Sequence, residues 1–254
     1  MSHLNKFQVG CDPEFFVLEG AQLVNLKGKI PHEGEVGYDH SGDVAELRPE
    51  PAFLTRTLVR RMGRLIWANA AAIKLHQYKW RGGAKFKNRV IGGHIHFGIP
   101  ASKASEVVAA LDTLTKKLEE WDILPAKESE QRRKTPAQDA GVGFYGKFGD
   151  TRPSGKDKHL EYRTMSSWLF SPRATFLCLT LGKLAVLDPE GFREELERIT
   201  TPRGLEKLLL NVREDADARR LGERTLRLNL VADPEVDIKT AWRQYERLNK
   251  EMSK

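Results

Sequence analysis

Two of the seven histidines, His94 and His96, stand two residues apart in the run Ile91-Gly92-Gly93-His94-Ile95-His96-Phe97-Gly98. A strand alternates its side chains with period two. If the run is extended, both imidazoles share one face and Ile95 and Phe97 share the other. Two imidazoles side by side on a buried strand cost free energy unless something binds them. The functional reading is a metal or phosphate site, and the plain one is a pair of core histidines with backbone partners. The same i, i+2 spacing recurs three times: Asp12 with Glu14, Glu46 with Arg48, and Glu161 with Arg163. One such pair is noise. Four, each opposite an apolar face, suggest one sheet whose polar side gathers carboxylates, imidazoles and guanidiniums. Carboxylates massed without cations repel each other, so convergence nearly demands a metal. Mg²⁺ takes few protein carboxylates and keeps waters and phosphate oxygens, and arginines would meet those phosphates.

The elements that carry these pairs follow in order. Residues 6–18 read as a strand bent at Pro13, which lacks a ladder donor and so points to an edge or bulged strand. Gln22–Ile30 reads as its hairpin partner, turning at Gly28. Residues 31–42 read as a loop, and 43–48 as a strand ended by Pro49 and Pro51. From Leu54 to about His76, Leu58, Met62, Leu65, Ile66 and Ile73 recur at helical spacing. Residues 79–89 read as a basic, glycine-containing loop. After the histidine strand, Ser102 or Ser105 can cap a helix bearing Val107, Val108, Leu111, Leu114 and Leu118. Residues 125–141, which include Arg132 and Arg133, read as a long polar loop and a candidate lid. The run 143–153 reads as a glycine-rich hairpin where Lys147 and Arg152 supply positive charge. His159–Thr164 reads as a strand. The last third, from Pro172 on, reads as helices over 172–187, 189–199, 202–213 and 237–251, with no catalytic constellation.

A chain of 254 residues can bury a full core. The simplest division is one catalytic domain over 1–254, with a core at about 6–187 and a helical extension at about 188–254. No apolar run approaches the ~20 residues of a membrane span, and the first residues carry no export signal. Cys11 and Cys178 are the only cysteines. This usage fits a reducing cytoplasm. The net charge of +7 permits nucleic-acid or polyphosphate binding. The basic residues are nevertheless spread along the chain, and no nucleic-acid motif is present.

The set GCDPEFF, DVAELRPEP, GGHIHFG, YGKFGDTRP and LEYRTMSSW resembles the phage-type carboxylate–amine ligases (amidoligases, type 2). These are similar to the wider glutamine synthetase and glutamate–cysteine ligase superfamily. The resemblance spans roughly residues 8–172. It implies an α+β fold, a curved antiparallel sheet with helices on its convex face, and an ATP-dependent ligase that forms an amide or peptide bond through an acyl phosphate. It implies ATP with Mg²⁺ or Mn²⁺, and small-molecule or peptide carboxylates and amines as substrates. Residue by residue it implies Asp12, Glu14, Glu46, His94 or His96, and Glu161 on metal. Arg163, Arg152 and Arg48 are the catalytic candidates, with Arg163 and Arg152 on phosphate or substrate, and His96, Lys147, Arg152 and Arg163 are the candidates for the nucleotide. Only Glu46 is clear where the superfamily's second acidic strand often has two glutamates. A metal-dependent hydrolase is the rival enzyme, but only His159 follows His96 as a further imidazole. A basic nucleic-acid or virion-associated binding module is the non-catalytic rival, which would need none of these carboxylates.

Overall fold

The computed structural model describes residues 6–39, 42–72, 75–136, 144–211 and 233–252. Ile73, Gly143 and the ends of the 202–213 helix and the 125–141 segment lie outside these residues.

Among the described residues, eight strands form one sheet around β1 (Val9–Glu19). β3 (Val36–Tyr38) and β4 (Val44–Leu47) lie on one side of it. β8 (Gly93–Pro100), β10 (His159–Tyr162) and β9 (Thr151–Ser154) follow on the other, giving the order β3-β4-β1-β8-β10-β9. β2 (Gln22–Leu23) and β5 (Lys79–Arg81) also pair with β1, and every pairing is antiparallel. β6 (Lys85–Phe86) and β7 (Arg89–Val90) make a separate small hairpin. The basic segment 79–89 is therefore strand and hairpin, not loop. The expected hairpin partner at 22–30 shrinks to β2, although Gly28 does turn with positive φ.

β1 is a central strand, which corrects the edge reading drawn from Pro13. Its partners explain how the proline fits. Val9 N–H bonds Ala52 O, and Glu14 N–H bonds Gly92 O. Alternate residues face opposite edges, so Pro13 faces the Ala52 side with Val9. β4 pairs on that side only from Glu14 onward, and the missing donor breaks no rung.

Alternation then sorts the side chains. Val9, Cys11, Phe15 and Val17 of β1, Ala45 and Leu47 of β4, Ile95 and Phe97 of β8, and Leu160 and Tyr162 of β10 are buried in one core. Against it pack α1 (Thr55–Ala72), α2 (Ala104–Glu120) and α4 (Pro172–Leu187). Leu58, Met62, Leu65 and Ile66 line the buried side of α1, as their spacing predicts. The helices sit on the one apolar face, and the polar members of all four pairs fall on the other. That other face is not polar throughout, because Phe16, Leu18, Val44 and Ile91 form a small buried cluster on it.

Caps are partly as expected. Ser171 Oγ accepts from Ala174 N–H with Pro172 opening α4, and Asp188 caps α5 (Pro189–Arg198) in the same way. No serine caps α2, which instead continues a 3₁₀ turn at Ala101–Lys103. After α6 (Pro202–Asn211), α7 (Ile238–Met252) returns to the core. Its Trp242 is fully buried and donates its indole N–H to Leu169 O at 2.8 Å. Just before it, Glu235 pairs with Arg81 at 3.0 Å and Lys79 at 2.9 Å.

The double glycine ahead of the histidines has a steric cause. A Cβ on Gly93 would lie 2.4 Å from Trp168 Nε1 and 2.7 Å from Ser166 O. Trp168 is fully buried and donates to Gly93 O, so neither neighbour has room to retreat. Gly93→Ala is expected to cost about 1–3 kcal/mol of stability through overpacking, read as a lower urea midpoint. An unchanged midpoint would contradict this packing.

Candidate active site

Strand register sets the site. Asp12 of β1 stands opposite His94 of β8, Glu14 opposite Glu46 of β4, and His96 opposite Glu161 of β10, which is itself opposite Arg152 of β9. Five strands thus deliver these ionisable side chains to one face. Directly opposed residues on one face have Cβ atoms about 5 Å apart, close enough for the heads to meet.

Distances confirm the meeting. Asp12 Oδ1 lies 3.0 Å from His96 Nε2 and 3.4 Å from His94 Nδ1. His94 Nδ1 lies 3.7 Å from Glu161 Oε1. Glu161 is fully buried, with Arg152 Nε 2.6 Å from Oε2 and Arg163 Nε 3.5 Å from Oε1. Donor atoms of Asp12, His96 and Glu161 all fall within 4.8 Å of one another, as for a shared cation. Asp12 Oδ1 and Glu161 Oε1 are buried and accept no hydrogen bond. Buried acceptors are normally paired. These two orphaned oxygens, with imidazole nitrogens beside them, fit a divalent cation.

Burial and like charge shape the protonation. Glu46 is pushed up to about 10 by burial and by the neighbouring Asp12 and Glu14 carboxylates, against the opposing pull of Arg48. Burial also raises Glu14. It would raise Asp12 too, but His94 and His96 outweigh it and hold that carboxyl well below the usual range. Burial works against the charged form of His96, yet Asp12 raises it overall. Crowded acids are thus forced apart in proton affinity where no cation offsets them.

The sequence-derived residues divide as follows. Asp12, His94, His96, Glu161, Arg152 and Arg163 come together. Glu14 joins through Tyr145, whose hydroxyl donates to Glu14 Oε2 at 3.0 Å and lies 2.9 Å from His94 Nε2. Glu46 is bound by Arg48 at 2.6 Å, and Arg48 also donates to the carbonyls of His32 and Gly34. Lys147 is exposed in the turn before β9, and its carbonyl accepts from Thr164 Oγ1 at 2.9 Å.

The segment read as a lid is, over its described part, a helix. α3 (Ala126–Arg133) is pinned at both ends, so it is no loose loop. Glu128 accepts from Arg81 at 2.6 Å and from two backbone amides, and Arg133 grips Glu119 of α2 through both nitrogens. Between these anchors Arg132 points inward, fully buried. It donates to the carbonyls of Thr164 and Arg163 at 2.7 and 2.8 Å and lies over the Tyr145 ring at 4.6 Å. Sequence reading missed this role because a polar composition hides one inward residue per turn. It gave no site role to Tyr145 or Asp157 and weighed His159 only for a rival hydrolase, although His159 shares a face with Glu161 by its i, i+2 spacing. A register shift beside His159, where β10 meets β8, re-aims that side chain.

The chain aligns in three dimensions with the ligase in the complex between the prokaryotic ubiquitin-like protein Pup and its ligase PafA. That match has a TM-score of 0.52 and 12% identity, and covers 99% of this chain and 70% of that one. That likeness shows a shared fold, an antiparallel sheet with helices packed on one face. The chain belongs to the phage phiEco32-like COOH.NH2 ligase-type 2 family, whose model matches residues 9–200. A bifunctional glutathione synthetase from Pasteurella multocida matches at TM-score 0.47 and 9% identity over 98% of this chain, which spans 50% of that longer protein. A novel glutamine synthase homolog matches at TM-score 0.42 and 15% identity, covering 96% of this chain and 67% of that one. No curated protein sequence matches.

Arg132 carries a prediction. Arg132→Met leaves two carbonyls near the site without their donors, at about 1–3 kcal/mol for each buried group. Arg132→Lys is expected to recover little, since an ammonium lacks the fork that reaches both. Chemical denaturation of the two variants reads this, and full stability of Arg132→Lys would show that the fork is dispensable.

Proposed function

We propose that the chain is an ATP-dependent carboxylate–amine ligase that forms an amide or peptide bond through an acyl phosphate. Family membership supports the reaction class. The observation that carries the reading is the pair of buried oxygens that accept no hydrogen bond, Asp12 Oδ1 and Glu161 Oε1, set between two imidazoles and two arginines.

In this reading Asp12, His94, His96 and Glu161 hold one divalent cation, Mg²⁺ or Mn²⁺. Glu14 and Glu46 face a second position where positive charge relieves their repulsion. Cations held there would supply charge neutralisation for a triphosphate beside the substrate carboxylate. Arg163, held on the buried side by Glu161, and Arg152, half exposed at the rim, meet phosphate oxygens. Lys147 and Arg152 supply positive charge along the entry side. Arg48 holds Glu46 in place and faces the substrate carboxylate. The substrate oxygen attacks the γ-phosphorus and ADP leaves. The amine then attacks the acyl carbon, gives up a proton, and expels phosphate. Positioning and charge neutralisation supply the catalysis, as in other phosphoryl transfers. A small-molecule or peptide acid and amine are the substrate classes.

The test is phosphate release from ATP with Mg²⁺ or Mn²⁺ across a panel of acids and amines. Release is expected only when acid, amine and metal are all present, and EDTA is expected to end it. Glu161→Ala and His94→Ala are expected to lower kcat by about 10²-fold or more. No turnover with any pair, together with no nucleotide-induced rise in melting temperature, sinks the reading.

A further inference from the structure

His96 is backed by a chain of hydrogen bonds leading away from the site. Its Nδ1 lies 2.8 Å from His159 Nε2, and His159 Nδ1 lies 2.7 Å from Asp157 Oδ1. A carboxylate only accepts, so Nδ1 of His159 carries the proton given to Asp157. A neutral imidazole has one N–H. His159 Nε2 is therefore an acceptor, and His96 Nδ1 is the donor to it. Once the His96 ring is neutral, that leaves its Nε2 without a proton. It faces Asp12 Oδ1 at 3.0 Å, and that oxygen accepts no hydrogen bond. Two lone pairs meeting at this distance are an arrangement that a cation satisfies and a hydrogen bond does not.

The other imidazole is ordered from the opposite side. Glu14 Oε2 accepts both the Tyr145 hydroxyl at 3.0 Å and Gly92 N–H at 2.5 Å. Tyrosine has one proton and spends it on Glu14. Towards His94 it is an acceptor, and His94 Nε2–H is the donor across 2.9 Å. His94 Nδ1 is then the bare nitrogen, 3.4 Å from Asp12 Oδ1 and 3.7 Å from Glu161 Oε1. Glu161 is fully buried and its Oε1 is unpartnered.

We infer that Asp157–His159 and Glu14–Tyr145 are two positioning pairs that lock His96 and His94 in opposite tautomers, each with its bare nitrogen turned towards Asp12. The inference rests on the cation reading of the site and deepens it. Both histidines are ligands, whereas His159, Asp157 and Tyr145 act through them. Outer partners of metal-bound imidazoles fix tautomer and ring orientation in this way. Steric fit agrees, since a Cβ on Gly92 would lie 2.5 Å from His94 Nε2, which keeps that edge of the ring clear for Tyr145.

Ring ¹⁵N NMR of the metal-free, full-length protein at alkaline pH, where both rings are neutral, reads the tautomers directly. His96 is expected to be protonated on Nδ1 and His94 on Nε2. Asp157 is exposed at the surface, so Asp157→Ala leaves the core packing untouched. It is expected to return His96 to a mixture of tautomers, with Asp157→Glu restoring the wild-type signal. Tyr145→Phe keeps the aromatic ring under Arg132 and is expected to release His94 alone. Mn²⁺ binding, followed by electron paramagnetic resonance, is expected to weaken about 10–100-fold in Asp157→Ala and in Tyr145→Phe. An Nε2-protonated His96 or an Nδ1-protonated His94 in the wild type overturns the inference, as do variants with unchanged ring signals. Wild-type protein that shows the expected tautomers yet binds no Mn²⁺, with or without ATP, overturns the cation reading and leaves the tautomer assignment standing.

Discussion

Electrostatic crowding on one face of β1 and its neighbours is the constraint on which the rest of the structure turns. Asp12, Glu14, Glu46 and Glu161 are all at least partly withdrawn from water and lie within reach of one another's charge. Left alone, such acids ionise only at a cost. The fold offsets part of that cost with fixed partners: Arg48 on Glu46, Arg152 on Glu161, Tyr145 and the Gly92 amide on Glu14. It leaves Asp12 Oδ1 and Glu161 Oε1 without a hydrogen bond. A protein built only for stability would have paired these as well.

Holding the acids there requires a rigid frame. β1 is clamped by β4 and β8 and bridged to Ala52, and the Thr164–Trp168 segment closes over it from the end of β10. Ser167 Oγ donates to Glu14 O at 2.5 Å, and Trp168 fills the space that Gly93 leaves. Helices on the apolar face fix the strands from behind, while α3 sends Arg132 in from the front. The site is thus gripped on both sides by groups that carry no chemistry of their own.

Much of this was readable in residue order. The i, i+2 pairs on Asp12/Glu14, His94/His96 and Glu161/Arg163 specified which face each side chain would take, because strand alternation is local. The helical repeat of Leu58, Met62, Leu65 and Ile66 was equally plain. Errors arose where long-range partners decide. Pro13 signalled an edge strand, yet its position opposite an open rung lets it sit in the centre. Residues 126–133 looked like a loop because their charges are spent on Arg81 and Glu119, which are distant in sequence. Segment 79–81 looked like a basic loop because Arg81 is buried only through Glu128 and Glu235.

The sequence by itself determined which residue types share a face, since alternation and helical period depend only on neighbours along the chain. It also determined the family, since the motifs survive as strings. Tertiary structure alone decided which faces meet and which atoms are left over. Register placed Asp12 against His94 and Glu161 against His96. Contacts across many residues, Asp157 and His159 behind one imidazole and Glu14 and Tyr145 behind the other, set how each ring is turned. Those contacts have no local signature, because a hydrogen bond between side chains far apart in sequence depends on the backbone that delivers them.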